Sequence, residues 1–286
     1  MRRVCGPSAG DATEFWESPA MQVRSLGFRT DLALLRLGGS IIEDRGDHLV
    51  VSSPHNPTFW WGNYLLLDHV PGESEADRWL ELFAAEHPEA AHVALGFDGT
   101  TGSKEDLAPF TARGMHVDAA TVMTASSVHE PPRTNREATY RALESDADWA
   151  QSVELRMACN EGQFPAERHR LFVEAKSATD RSLVEAGHGR WFGAFLDGAL
   201  VSQLGIVGAG HGLGRYQSVE THPDVRGRGL AGTLVHHAGR EALERLGGQT
   251  LVMVADPDYL AVRVYRSVGF TDTETMLTAE RAPTGT

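Results

Sequence analysis

The chain is short of the residues that most often mark extracellular or metal-dependent proteins. Among 286 residues there are 2 cysteines, Cys5 and Cys159, and Lys104 and Lys176 are the only lysines. Two cysteines make neither a disulfide framework nor a zinc cluster. No apolar run approaches the roughly 18 residues that cross a bilayer. The start, "MRRVCGPSAG", is basic but has no apolar stretch behind it, so no secretory signal is expected. These absences predict a cytoplasmic protein with no membrane partner and no metal. An apolar content of 41% and a charged content of 23% suit a soluble globular chain, long enough for one large or two ordinary domains.

The formal net charge is −13, unevenly spread. Residues 1–130 carry 9 basic and 19 acidic side chains, and residues 131–286 carry 17 and 20. Such a balance repels nucleic acid, so no nucleic-acid partner is expected.

The first twenty residues have no clear pattern and are expected to be partly mobile. A helix is predicted over 21–37, broken near Gly27, then a hairpin turning at Arg45-Gly46-Asp47. "TFWWGNYLLLD" reads as a strand of aromatic and aliphatic residues, with Trp60 and Trp61 assigned to the core in preference to an acceptor-site platform. A helix from about Ser74 to Glu86, the strand "HVALGF", a short helix through Phe110 and the strand "AATVMTA" follow. The Pro-rich "VHEPPRTNRE" marks a domain boundary near residue 130. Beyond it the pattern restarts. It runs through a strand at "TYRALESD", a helix with Asp146 or Asp148 near its cap, and a helix closed by Gly187. A hairpin turns at Asp197-Gly198, and the strand "GRYQSVET" follows. "QTLVMVAD" is a strand, "PDYLAVRVYRSVG" a helix and "TETMLTA" a last strand. "GAGHGLG" at 208–214 reads as a hairpin loop, because no long helix follows it.

The stretch "VETHPDVRGRGLAGTLVHHAG", residues 219–239, carries the chemistry. It reads as the end of a strand, a turn rich in Arg and Gly, and an apolar-periodic helix. Unpaired N–H groups and the dipole at a helix start attract anions. Gly227 and Gly229 let a phosphate reach the backbone, and Arg226 and Arg228 add charge-assisted hydrogen bonds. His236 and His237, adjacent on the helix, face different ways and do not suggest joint metal ligation.

The pattern Arg226-x-x-Gly229-x-Ala231 resembles the acetyl-CoA loop of the GNAT acyltransferases. Tyr265, four residues before Gly269-Phe270, resembles the family's second landmark, and the order of elements over 131–286 is similar to that fold. The resemblance implies an α/β (α+β) protein with a mixed, mostly antiparallel sheet flanked by helices. It implies acetyl-CoA as co-substrate, with Val219 and Thr221 holding the pantetheine arm. The diphosphate would lie on Arg226, Gly227, Arg228, Gly229, Leu230 and Ala231. Tyr265 would be the general acid. The family's customary glutamate base falls near Arg215, which cannot act as a base. Glu220 is the nearest carboxylate, although strict alternation turns it away from Val219 and Thr221 unless a bulge intervenes. Gln217, placed by alternation with Val219, orienting a water is the competing reading, and His222 shapes the turn.

The halves also resemble one another: "FTARGMHVDAATVMTA" from Phe110 aligns with "YRSVGFTDTETMLTA" from Tyr265. At the place of the cradle the first half has Glu73, Glu75 and Asp77, and at the place of Tyr265 it has Phe110. Residues 1–130 are therefore expected to be a degenerate GNAT-like domain without a CoA motif, covering or completing the catalytic domain at 131–286. The reading is an N-acetyltransferase, acting by direct attack on the primary amine of a small molecule or peptide. The acidic first half suggests a cationic acceptor, such as a polyamine, an aminoglycoside or a peptide amine. A non-catalytic acyl-CoA-binding or sensor protein is the alternative. A longer acyl group in place of acetyl stays open, as does a monomer against a homodimer.

Overall fold

The computed structural model describes residues 20–245 and 247–283. Residues 1–19, and with them Cys5 and nearly all of the unpatterned start, lie outside the described residues. The first half runs α1 (Leu26–Leu37), β1 (Ile41–Asp44), β2 (His48–Ser52), β3 (Tyr64–Leu67), α2 (Ala76–Glu86), β4 (Val93–Phe97), α3 (Ala108–Thr111) and β5 (His116–Ala125). The second runs β6 (Thr139–Ala142), α4 (Asp146–Cys159), α5 (Ala166–Glu185), β7 (Gly189–Leu196), β8 (Ala199–Gly208), β9 (Leu213–Thr221), α6 (Leu230–Arg245), β10 (Thr250–Ala255), α7 (Ala261–Arg266) and β11 (Thr271–Arg281).

Local chemistry accounts for the elements. Asp197 (φ 49°) and Gly198 (φ 83°) give the left-handed turn that joins β7 to β8. The Ser145 side chain accepts from the Asp148 N–H at 3.1 Å, and the Asp148 carboxylate accepts from the Ser145 N–H in return, so the α4 cap is Ser145. Two expected elements are shorter. Residues 58–63 do not extend as strand: Asn63 accepts from the Ser53 N–H and donates to the carbonyls of Asn56 and Phe59. Those side-chain bonds hold Trp60–Gly62 in one 3-10 turn, and the strand begins at Tyr64. The first helix starts at Leu26, because the N–H groups of Arg24 and Ser25 go to the Asp98 carboxylate and that of Leu26 to Glu274.

All eleven strands form one sheet, in the order β1-β2-β3-β4-β11-β5-β10-β9-β8-β7-β6. Only β3·β4 and β9·β10 are parallel. The two halves share a path: two antiparallel pairings, then a parallel neighbour reached across a helix. Each half gives its last strand to the other. β11 pairs with β4 through Leu277↔Phe97, and β5 pairs with β10 through Met253↔Met123. The cores follow. Met123 and Ala125 of β5 pack with Leu234, Val262 and Tyr265 beneath α6 and α7, while Leu277 and Ala279 of β11 pack with Trp79 and Phe110 beneath α2 and α3. The opposite face is covered by α1, whose Phe28 and Leu32 meet Val122, Val252 and Met276 from both halves, and by α4 with Trp149 and Leu155 on Trp191.

Arg215 fastens this arrangement. It is buried on β9 and donates to Thr30 Oγ1 at 2.8 Å and to the Gly27 carbonyl at 3.3 Å, and it pairs with Asp31 at 2.9 Å, all on α1. Burial raises the Asp31 carboxyl, and the guanidinium pulls it back down. Removing the guanidinium leaves the buried Thr30 hydroxyl and Gly27 carbonyl without it and the half-exposed Asp31 unpaired. Arg215→Ala is expected to lower unfolding stability by about 1–3 kcal/mol, measured by denaturant melts. A loss under about 1 kcal/mol would show that the pair does not hold the halves together.

Candidate active site

β9 and β10 lie side by side only from Leu213↔Thr250 to Arg215↔Val252, and then separate. Past Arg215, β9 pairs with β8 alone, so its other edge has no strand partner among the described residues. An unpartnered edge accepts an extended chain with amide groups. At the end of this edge the chain turns through Pro223–Val225 into α6.

Gly227 (φ 74°) and Gly229 (φ 79°) take left-handed conformations there. Among the described residues, no acceptor is recorded for the N–H groups of 227–232; the first bond into the helix is Thr233 N–H to the Gly229 carbonyl. A Cβ on Gly229 would lie 2.3 Å from the Arg133 carbonyl oxygen, whereas one on Gly227 would meet nothing. The loop is braced from below by Asn135, which donates to the Arg228 carbonyl at 3.1 Å. Leu230 is buried and Ala231 half-buried. Both arginine side chains are engaged within the chain: Arg226 bonds the Thr221 carbonyl and Glu161, and Arg228 pairs with Glu137. The backbone N–H groups are thus the donors without a recorded partner, while each guanidinium, already beside a carboxylate, keeps some N–H groups unused.

A bulge decides where the β9 side chains point. Ser218 has φ 48°, and the register with β8 slips between Gln203↔Glu220 and Gly205↔Gln217. Val219 thus joins the core under α6 and α7, while Gln217 lines a cavity on the opposite face. This corrects the placing of Gln217 with Val219, which assumed unbroken alternation. Glu220 also lies on the Gln217 face. It accepts from Gln203 Nε2 at 2.7 Å and lies 3.6 Å from Arg156 Nε. Arg156 in turn bonds Asp180 at 2.9 Å, and Lys176 pairs with the same carboxylate. Both recorded contacts of Glu220 fall on Oε2, so Oε1 accepts nothing among the described residues. Burial holds its carboxyl above the usual range, against the pull of Arg156 and Gln203. Thr221 bonds Ser202 through its hydroxyl at 2.8 Å, and its carbonyl accepts from Cys159 at 3.5 Å. The Cys159 thiol is pushed up to about 11 by burial and by the Glu220 charge, so it stays protonated.

Tyr265 sits on α7 on the other face, 6% exposed, beside Phe270 and in the same core as Val219. Burial raises its phenol, which remains a proton donor at neutral pH. The first half differs at the corresponding points. Phe110 is fully buried against Phe97, and Glu73 and Asp77 before and within α2 are gripped by Arg113 at 2.8 and 2.6 Å.

Between the halves lies a cavity of about 380 Å³, on the face of Gln217. It is walled by α1, the loop before β3, β5, β11 and α5. Lys176 and Asp180 belong both to its wall and to the charged group around Glu220. Trp61, expected in the core, lines this cavity, while Trp60 stacks on His92. Residue spacing gave no signal for this wall, because its members are far apart in the chain. Among the described residues no group of three metal-ligating side chains occurs, and no helix is long and apolar enough to cross a membrane.

A sheet with a parted parallel pair, beside a helix whose first N–H groups have no recorded acceptor, is the arrangement of the GNAT fold. Residues 149–270 match the family model "Acetyltransferase (GNAT) family", a match that supports an acyltransferase. The whole fold is similar to a protein of unknown function from Staphylococcus epidermidis, with TM-score 0.68 and 12% identity over 85% of this chain and 94% of that one. It is similar to a GCN5-related N-acetyltransferase from Kribbella flavida, with TM-score 0.57 and 15% identity over 91% and 98%. A tandem GNAT protein from the clavulanic acid biosynthesis pathway matches with TM-score 0.52 and 15% identity over 88% of each chain. No curated protein matches the sequence. Two GNAT-like units in one chain accord with the tandem neighbour.

The two glycines of the turn should differ in cost. Gly229→Ala is expected to destabilise the protein by about 1–3 kcal/mol, since it adds a clash to a strained φ. Gly227→Ala adds only the φ strain, about 1 kcal/mol. Thermal unfolding of the pair checks the order.

Proposed function

We propose that the second half transfers an acetyl group from acetyl-CoA to a primary amine by direct attack. The observation that carries this reading is the run of unpaired N–H groups at 227–232, standing at the end of an open strand edge. The diphosphate of acetyl-CoA takes those N–H groups, from Gly227 through Gly229 to Ala231, and the amides of its arm follow β9 at Val219 and Thr221. Acetyl-CoA supplies an activated carbonyl, whose C–S bond breaks as the amine nitrogen bonds to carbon.

The chain's own residues handle the protons. Glu220, on the cavity face, takes the proton that the amine must lose, and Oε1 is the oxygen free to receive it. A carboxyl raised toward neutrality by burial is a better base than an exposed one. Tyr265, on the opposite face of the sheet, donates to the leaving sulfur. Acid and base thus reach the parted strands from opposite sides. In the first half, Glu73 and Asp77 stand where the anion would sit and Phe110 replaces the phenol, so the domain at 1–130 neither binds CoA nor catalyses.

Calorimetric titration of acetyl-CoA is expected to show one site per chain; two sites, or none, would overturn this assignment. Tyr265→Phe should lower kcat by about 10²–10⁴-fold with acetyl-CoA affinity unchanged. For Glu220 the active form is deprotonated, so kcat/KM falls as pH drops through its raised pKa. That acid limb should lie above the ordinary glutamate value of about 4.3. Glu220→Gln should lower kcat/KM and abolish the limb; a pH profile that keeps the limb would exclude Glu220 as the base.

A further inference from the structure

Among the described residues, one carboxylate of the cavity between the halves forms no ion pair. Asp31 is paired with Arg215, Asp180 with Arg156 and Lys176, and Asp118 with Lys104 at 2.9 Å. Glu280, on β11, forms no ion pair among the described residues and accepts only the Trp61 indole N–H at 2.9 Å. Trp61 lies against Tyr64, ring centres 5.6 Å apart. The Tyr64 hydroxyl is buried, has no hydrogen-bond partner, and belongs to a residue only 1% exposed. Trp61, Tyr64 and Glu280 all line the cavity. A carboxylate beside the Trp61 ring, with the spare Tyr64 hydroxyl oxygen lining the same cavity, is a surrounding that favours an ammonium group. The α1 side of the wall is apolar at Phe28, Leu34 and Leu35, while His55 and His116, the latter paired across the sheet with Glu280, also line the cavity.

We propose that this cavity is the acceptor site and that it selects diamines. An apolar spacer lies along α1, a distal ammonium is held by Glu280, Trp61 and Tyr64, and the second amine is presented at the Gln217 and Glu220 end. The inference rests on the acetyltransferase reading above. The volume of about 380 Å³ lies in the range of small-molecule sites. It also assigns work to the first half. Trp61 and Tyr64 come from it, while Glu280 comes from the strand that the second half inserts into it. The site is complete only when both are present.

The test uses the full chain, acetyl-CoA and a series of 1,n-diaminoalkanes, each set against the n-alkylamine of the same length. Some diamine should exceed its matched monoamine in kcat/KM by about tenfold or more, mainly through KM. Glu280→Gln should remove that advantage by raising the diamine KM about tenfold. It should leave the calorimetric affinity for acetyl-CoA unchanged, which reports an intact fold. Amines acetylated with no diamine preference, or with a preference that Glu280→Gln keeps, would overturn this inference and leave the proposed function standing. Glu280-dependent calorimetric binding of diamines without turnover would retain the ammonium site and overturn the acetyltransferase reading. Neither turnover nor binding would overturn both.

Discussion

Backbone pairing between β11, β5 and their borrowed neighbours is the constraint on which the rest of the structure depends. An edge strand with unpaired N–H and C=O groups is a liability in water. Here the two inner edges, on β4 and β10, are closed by exchange of the terminal strands. Each exchanged strand also carries apolar residues into the other half's core, Met123 and Ala125 one way, Leu277 and Ala279 the other. Neither half has a complete core without its counterpart. The buried Arg215 on Thr30 and Asp31 adds a charged lock to the same junction, whose worth comes from the cost of leaving its hydrogen-bond partners without it.

That junction gives the first half a physical purpose. It carries carboxylates at 73 and 77 and a fully buried Phe110 where the second half has its glycine turn and Tyr265. What it supplies is shape. Through α1 and the loop at 53–63 it walls a cavity that the second half alone leaves open. The division of labour follows the sheet faces: free backbone N–H groups and Tyr265 on one side, Glu220 and the cavity on the other.

Much of the fold was legible in the residues. Turn chemistry at Gly46 and at Asp197-Gly198, strand alternation, and helix periodicity give nearly the observed element order. The shortfalls have local causes. Asn63 draws the backbone around the tryptophans into a turn, and Asp98 and Glu274 hold the chain extended just before α1. These bonds join positions remote in sequence or hidden in a side chain's choice of partner, so no window of propensity contains them. The cradle was legible for the opposite reason. Gly227, Gly229 and the helix start are contiguous, and free N–H groups follow from helix geometry itself.

By itself the sequence determined the elements and the glycine-rich turn before α6, because each depends on residues within one turn or one strand of each other. Tertiary structure decided what lay beyond that reach. The bulge at Ser218 moved Gln217 onto the face of Glu220, opposite Val219, where simple alternation would have placed Gln217 with Val219. Strand exchange brought Glu280 beside Trp61 across more than 200 positions of chain. Burial among charges gave Glu220 its raised pKa. Each of these is a matter of which surfaces exclude water from which groups, and that is settled only when the whole sheet has closed.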